Sequence, residues 1–330
     1  MKSQVPRMQW MDFLRGIAVL LVVVLHANTS HIAGASVDWW TDVNRHLTPF
    51  RMPLLMFMSG MLLHRSLAKP LPVYIWGKMA AIAWPLLVWM FLYGFFIRSG
   101  IGVPDDLLDY LATGDYLWFL MSLLLCYAAA MVFKPLARRF PSGHSWGYLA
   151  VFLAMIGTYV STDVVHGGLS GSTFWYGAFF FLGAWAAHMV IRWVRVPWGV
   201  VVPLLLVAVW LANMGVDDRS LRIGTPAAAG ISVLGIAVLL WLAPRLPRGM
   251  LVRCVEWCGR SSIVVYVAHF PIIILLRDQV FTHLQLADGP RVLLMTTAAL
   301  VLTVLLVALR PWTPFLYVLP GHRRVAARLR

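Results

Sequence analysis

The sequence predicts an all-α integral membrane protein, a bundle of about ten transmembrane helices. Three observations carry that prediction. Of its 330 residues, 61% are hydrophobic and only 12% are charged, with a mean hydropathy of +0.78, too little charge to cover a soluble domain of this length. Apolar runs of about 16–20 residues recur, long enough to cross a hydrocarbon core. Between them, Lys and Arg collect in every second connection, the bias that orients membrane helices.

The expected spans are 13–31, 49–64, 79–97, 116–133, 146–161, 174–191, 198–213, 226–243, 261–276 and 292–309. The first follows a basic start. The second begins at Phe50-Arg51 and ends in the basic joint containing Arg65, Lys69 and Lys78. The third leads into an outer connection, 98–115, carrying Asp105, Asp106, Asp109 and Asp115. The fourth starts at Tyr116-Leu117-Trp118 and ends at Lys134, Arg138 and Arg139. The fifth, sixth and seventh are separated by short Pro- or Gly-containing joints. The eighth ends at Arg245 and Arg248, the ninth follows Arg253 and Arg260, and the tenth opens into a basic tail from about residue 310.

With the N-terminus in the cytoplasm, most of the 27 Lys and Arg residues fall inside and all but two of the 13 acids fall outside. The inner acids are Asp12 and Glu256, the latter read as a solvated loop residue. The net charge of +14 is therefore an orientation signal, and no nucleic-acid partner is predicted. An even number of spans keeps the alternation in register and places both termini in the cytoplasm. The tail, ending in His322-Arg323-Arg324-Val325-Ala326-Ala327-Arg328-Leu329-Arg330, suits the surface of an anionic bilayer. No soluble insert, repeat or low-complexity segment interrupts the pattern, so residues 1–330 read as one membrane domain.

Three cysteines cannot build a disulfide framework. Cys254 and Cys258 lack the His or acid pattern of a zinc site, Cys126 reads as packing, and no metal site is predicted. Ala33-Gly34-Ala35 after the first run resembles a signal-peptide cleavage site. Asp12 and Arg15 would then sit in or beside the peptide's apolar core, so the first span is expected to stay.

The chemistry is concentrated in that first span. Arg15 and His26 are eleven residues apart, which at about 100° per residue returns to within about 20° of the same helix face, some ~16 Å further along the axis. Asp12 joins the stripe. Ionisable groups at membrane depth are costly and are functional candidates by default. Imidazole suits acid–base work near neutrality. The plainer readings are a histidine bonded to a neighbouring helix and an arginine snorkelling to lipid phosphate. Three polar groups on one face argue against lipid exposure. Arg51, near the depth of His26, is either an acceptor contact or an interface anchor. Trp118 and Phe119 suit either sugar stacking or an aromatic belt. His269 shares a face with Tyr266 at i, i+3, a spacing that packing alone explains.

Asp12-Phe13-Leu14-Arg15-Gly16 through His26 resembles the first-helix motif of the acyltransferase 3 family, integral membrane O-acyltransferases that modify envelope carbohydrates. Phe50-Arg51-Met52-Pro53-Leu54-Leu55-Met56-Phe57-Met58-Ser59-Gly60 is similar to its segment ending in Phe-x-Ser-Gly. Tyr116-Leu117-Trp118-Phe119-Leu120 and Gly259-Arg260-Ser261-Ser262…Tyr266-Val267-Ala268-His269 resemble two later motifs, in family order. Two departures stand out. The family often has two arginines three apart before a proline; here Lys78 is followed by Ala81 ahead of Pro85. Tyr116 stands where many members have histidine.

The resemblance implies transfer of a short acyl group, acetyl being expected, from cytoplasmic acyl-CoA to a hydroxyl of an envelope polysaccharide or lipid-linked sugar. It implies a bacterial inner-membrane location and no bound cofactor. His26 is then the base or a transient acyl carrier, with Asp12 orienting Arg15. Arg15, Lys78, Arg65 and Lys69 are donor-side candidates. Arg51, Trp118, Phe119 and Tyr116 are acceptor-side candidates, with Tyr266, His269 and Ser59 in support. The rival class is a multi-span transporter or flippase, for which the chain lacks inverted repeats and paired broken helices. Pro141-Ser142-Gly143-His144 matches the core of a lipid-phosphatase signature without that family's flanking motifs, and turn chemistry accounts for it.

Overall fold

The structure, a computed structural model, describes residues 8–29, 38–98, 107–135, 144–162 and 168–329. The Ala33–Ala35 segment, Asp105, Asp106, Arg138, Arg139 and residues 141–143 of the tetrapeptide lie outside them. Within the described residues the chain is helical and contains no strand.

The helices are α1 Gln9–Thr29, α2 Asp38–Leu47, α3 Arg51–Gly60, α4 Leu63–Leu67, α5 Leu71–Lys78, α6 Trp84–Phe91, α7 Leu107–Thr113 and α8 Trp118–Ala129. They continue as α9 His144–Ser161, α10 Gly168–Ala186, α11 Val190–Trp193, α12 Trp198–Asp217, α13 Pro226–Leu242, α14 Met250–Arg260, α15 Ser262–Gln279, α16 Asp288–Leu309 and α17 His322–Arg328. Seven helices among the described residues are long and apolar enough to cross a membrane: Gln9–Asn28, Leu71–Arg98, Leu107–Pro135, Trp198–Gly215, Pro226–Arg245, Ser262–His283 and Asp288–Leu309.

The other three expected spans are helical but differ in kind. Residues 49–64 form α3 and α4, interrupted at Met61–Leu62. Residues 146–161 lie in α9, whose apolar stretch Ser145–Ser161 is shorter than the other seven. Residues 174–191 cover most of the Gly- and aromatic-rich α10 and enter α11. These segments pack on one another, with α10 against both α3 and α9. Most of α3 and the second half of α10 are buried, whereas α9 keeps Trp146 and Leu153 exposed. Gly183 meets the Phe57 carbonyl and Gly60 the Phe180 carbonyl so closely that an added Cβ would lie 2.0 and 1.8 Å from those oxygens. Small residues at helix crossings allow such approach.

At the centre stands α1, in contact with α3, α14, α15 and α16. Its crossing with α14 is glycine-built: a Cβ on Gly259 would lie 1.7 Å from the Asp12 carbonyl oxygen, and one on Gly16 would lie 2.1 Å from that of Val255. Gly259→Val is expected to prevent assembly of this contact, giving misfolded protein on size-exclusion chromatography in detergent, whereas Gly249→Ala, which meets open space, should be tolerated. On α14, Glu256 is buried at 6% exposure. The solvated loop position read from sequence is thus corrected: it lies on the face of an amphipathic helix that turns inward.

Local breaks have identifiable causes. Pro85 cannot donate to the carbonyl four residues back, and just before it Met79–Ala83 widens into π-helix, the kind of adjustment that accompanies a lost ladder bond. The chain's end closes over this span. Trp76, Trp84 and Trp89 indoles donate to the carbonyls of His322, Phe315 and Leu316, and Leu319 N donates to the Ala80 carbonyl. The basic tail is therefore preceded by a segment packed on the helices.

Candidate functional site

The predicted stripe on α1 meets two clusters of residues, one at each end. At the Arg15 end, the guanidinium Nη2 lies 3.4 Å from the Met58 carbonyl of α3. A cavity of about 100 Å³ opens beside it, lined by Arg15, Ser59, Phe119, Ser262 and Tyr266 among others. The Ser59 hydroxyl donates back to Leu55 O at 2.9 Å, and Tyr127 OH donates to Ser59 O at 3.3 Å. Lys78 Nζ sits 3.4 Å from the centroid of the Tyr127 ring and donates to Ser66 Oγ at 3.3 Å, a cation–π arrangement. Arg15, Ser59, Tyr127 and Lys78 are thereby linked. Asp12 is buried at 2% exposure, one turn before Arg15. Arg65 and Lys69 are exposed; the Lys69 carbonyl accepts from Lys134, as does that of Leu67. Lys69 comes within electrostatic reach of Lys78, and neither exposed residue lines the Arg15 cavity.

At the other end of α1, the His26 ring centroid is 5.1 Å from that of His269 and 5.4 Å from that of Phe270. The backbone of α15 brings Tyr116 to the same cluster. Pro271 removes the bond that would occupy the Val267 carbonyl, and that carbonyl instead accepts from Tyr116 OH at 2.9 Å. Tyr116 is thus held against the α15 turn, stacked on Phe270 at 5.2 Å with Tyr93 at 4.8 Å. His269, 1% exposed, contacts the Tyr266 carbonyl through Nδ1 at 2.5 Å. A carbonyl only accepts, so Nδ1 carries the proton and Nε2 presents a lone pair. That Nε2 is buried and has no hydrogen-bond partner, an arrangement that calls for an explanation.

Tyr266 joins the two ends. Its hydroxyl donates to the Tyr116 carbonyl at 2.9 Å and accepts from the Phe119 amide at 3.3 Å. Phe119 is the second residue of α8, whose first amides have no intrahelical partner, and Leu117 offers no side-chain cap. The tyrosine supplies it from another helix. Tyr266→Phe should leave this buried amide unsatisfied at a cost of about 1–3 kcal/mol. The expected result is a lower thermal unfolding midpoint together with a shifted Tyr116 and reduced activity.

The acceptor-side candidates separate. Tyr116 lies in the His26 cluster. Arg51 is within electrostatic reach of His26 and Tyr176. Trp118 stacks near Tyr176, at 5.1 Å. Phe119, paired with Tyr266 at 5.2 Å, instead belongs to the Arg15 cavity. The two adjacent aromatics therefore serve different neighbourhoods. Sequence reasoning missed Phe270, Tyr93, Tyr176 and Tyr127, for which spacing offered no signal. Cys258 carries none of this chemistry: burial pushes its thiol up, keeping it protonated at neutral pH. Among the described residues there is also no cluster of His, Cys, Asp or Glu fit to hold a metal.

The sequence profile of an acyltransferase-domain family, acyltransferase 3, matches residues 8–309. The chain belongs to this family. It is an acyltransferase with several membrane-spanning helices, and both clusters fall inside the matched region. No protein of curated function matches the chain.

Proposed function

We propose that this acyltransferase moves a short acyl group, acetyl in the simplest case, from cytoplasmic acyl-CoA to a hydroxyl of a cell-envelope polysaccharide or lipid-linked sugar. The observation that carries the reading is the two-ended stripe on α1: a cationic cavity at Arg15 and a histidine pair at His26, joined through Tyr266. Ten crossings with both termini in the cytoplasm of a bacterial inner membrane place Arg15 on the donor side.

In this reading Arg15, with Asp12 behind it and Lys78 beyond Tyr127, holds the donor's phosphates or thioester by charge-assisted bonds. Ala81 removes the family's second cation, so Lys78 carries that part alone, with Arg65 and Lys69 at the approach. His26 takes the proton from the acceptor hydroxyl as its oxygen attacks the thioester carbon. The tetrahedral oxyanion collapses, the C–S bond breaks, and CoA leaves as the thiol once protonated. His269 Nε2 is a ready acceptor for a hydrogen bond from His26 or the sugar. Tyr116, Trp118 and Arg51 flank the acceptor.

The purified protein, reconstituted in liposomes with radiolabelled acetyl-CoA and a lipid-linked oligosaccharide, should release CoA and acylate the glycan in step. A transporter would move substrate without either product, and that result would overturn the proposal.

A further inference from the structure

Arg51 poses a problem that the acyl-transfer reading does not solve. Its side chain is 3% exposed, yet it meets only neutral partners: Asn44 Oδ1 at 2.9 Å, Asn44 O at 3.0 Å and Thr48 Oγ1 at 3.2 Å. No carboxylate pairs with it among the described residues. Buried charges are normally paired, because desolvation is otherwise uncompensated. Three of its five N–H groups are used and two are left.

The same side chain lines an apolar groove of about 220 Å³. Ala18 and Leu21 of α1 line one side; Leu205 and Ala208 of α12 line the other. Phe50 closes it against Gly235, where a Cβ would lie 2.1 Å from the ring. Of the helices forming this groove, α12 has the smallest buried share among the seven apolar spans, 22%, so much of it faces lipid. The groove therefore offers hydrocarbon walls at membrane depth beside a buried cation that no carboxylate pairs among the described residues and that lies within electrostatic reach of His26.

We infer that this groove holds the hydrocarbon chain of the acceptor's own lipid carrier, a long-chain lipid phosphate, with its phosphate on Arg51. The anion supplies the charge that Arg51 lacks, the chain fills the apolar wall, and the attached sugar is delivered beside His26. Arg51 is then a substrate-binding residue between the two sites. This rests on the acyl-transfer reading for the identity of the cargo; the binding itself does not.

Binding is measured on the purified protein in detergent micelles by native mass spectrometry, without donor, using farnesyl phosphate, farnesol and inorganic phosphate as probes. Farnesyl phosphate should bind about tenfold or more tightly than farnesol, the scale of hydrogen bonds to a charged group, and inorganic phosphate should not compete. Ala208→Phe should weaken both farnesyl probes, and Arg51→Gln should erase the advantage of the phosphate. Leu205→Phe, at a position already 38% exposed, provides a groove-filling variant that does not disturb the core. Equal binding of farnesol and its phosphate, unaltered binding in both groove variants, or equal displacement by phosphatidylglycerol would each overturn the inference. A wild type that binds farnesyl phosphate but acylates no glycan would sink the acyl-transfer reading and leave the groove standing.

Discussion

His26→Ala is expected to lower acyl transfer by about a hundred- to ten-thousand-fold, the range for removing a positioned general base, with the protein still extracted as a monodisperse species. The stability side of this expectation comes from the packing. His26 is only half-buried, and its ring neighbours His269 and Phe270 are anchored independently, one to the Tyr266 carbonyl and the other by stacking on Tyr116. The fold therefore survives truncation while the base is lost. His26→Gln keeps a hydrogen-bonding side chain of similar reach and should be as inactive, because an amide cannot accept the proton. A His269→Gln variant should lose less than His26→Ala, since its contribution acts through the orientation of His26 or the sugar. Rates measured with saturating donor and acceptor distinguish these cases.

Arg15→Ala is expected to raise the KM for acyl-CoA about tenfold or more, matching the loss of hydrogen bonds to a charged group. Arg15→Lys should recover only part of it, because an ammonium lacks the bidentate fork. The guanidinium lies 3.4 Å from the Met58 carbonyl and lines the cavity beside it. Lys78→Ala should act in the same direction and more weakly, since Lys78 reaches the Arg15 region through the Tyr127 ring. In contrast, Arg65→Ala and Lys69→Ala should have smaller effects that fade with added salt, as expected for exposed charges. Initial rates across a donor titration separate these variants.

The α1 stripe was legible because helical periodicity alone places Asp12, Arg15 and His26 on one side. The histidine at the far end of the late motif was also visible, but its meeting with His26 was not. That contact depends on α1 packing against α15, helices distant in sequence. The same holds for Arg51. Its place at the start of the second apolar run could be read, whereas its burial against Asn44 comes from how α2 folds back over α3. Long lipid-facing helices such as α16 declared themselves by composition. The apolar runs of α3, α9 and α10 could be read as well, but not their packing on one another, because the close approaches at Gly60 and Gly183 leave no mark on hydropathy. Glu256 was misread for the related reason that a short amphipathic helix looks like a polar loop when only its charges are considered.

In the proposed mechanism Arg15 serves the donor and His26 the transfer step. Equilibrium binding of acetyl-CoA and single-turnover acyl transfer, both measured on wild type, Arg15→Ala and His26→Ala, separate the two roles. His26→Ala should bind donor as wild type does and transfer nothing, while Arg15→Ala should lose donor affinity and still transfer when saturated. Loss of donor binding in His26→Ala, or retained transfer by that variant, would contradict this mechanism.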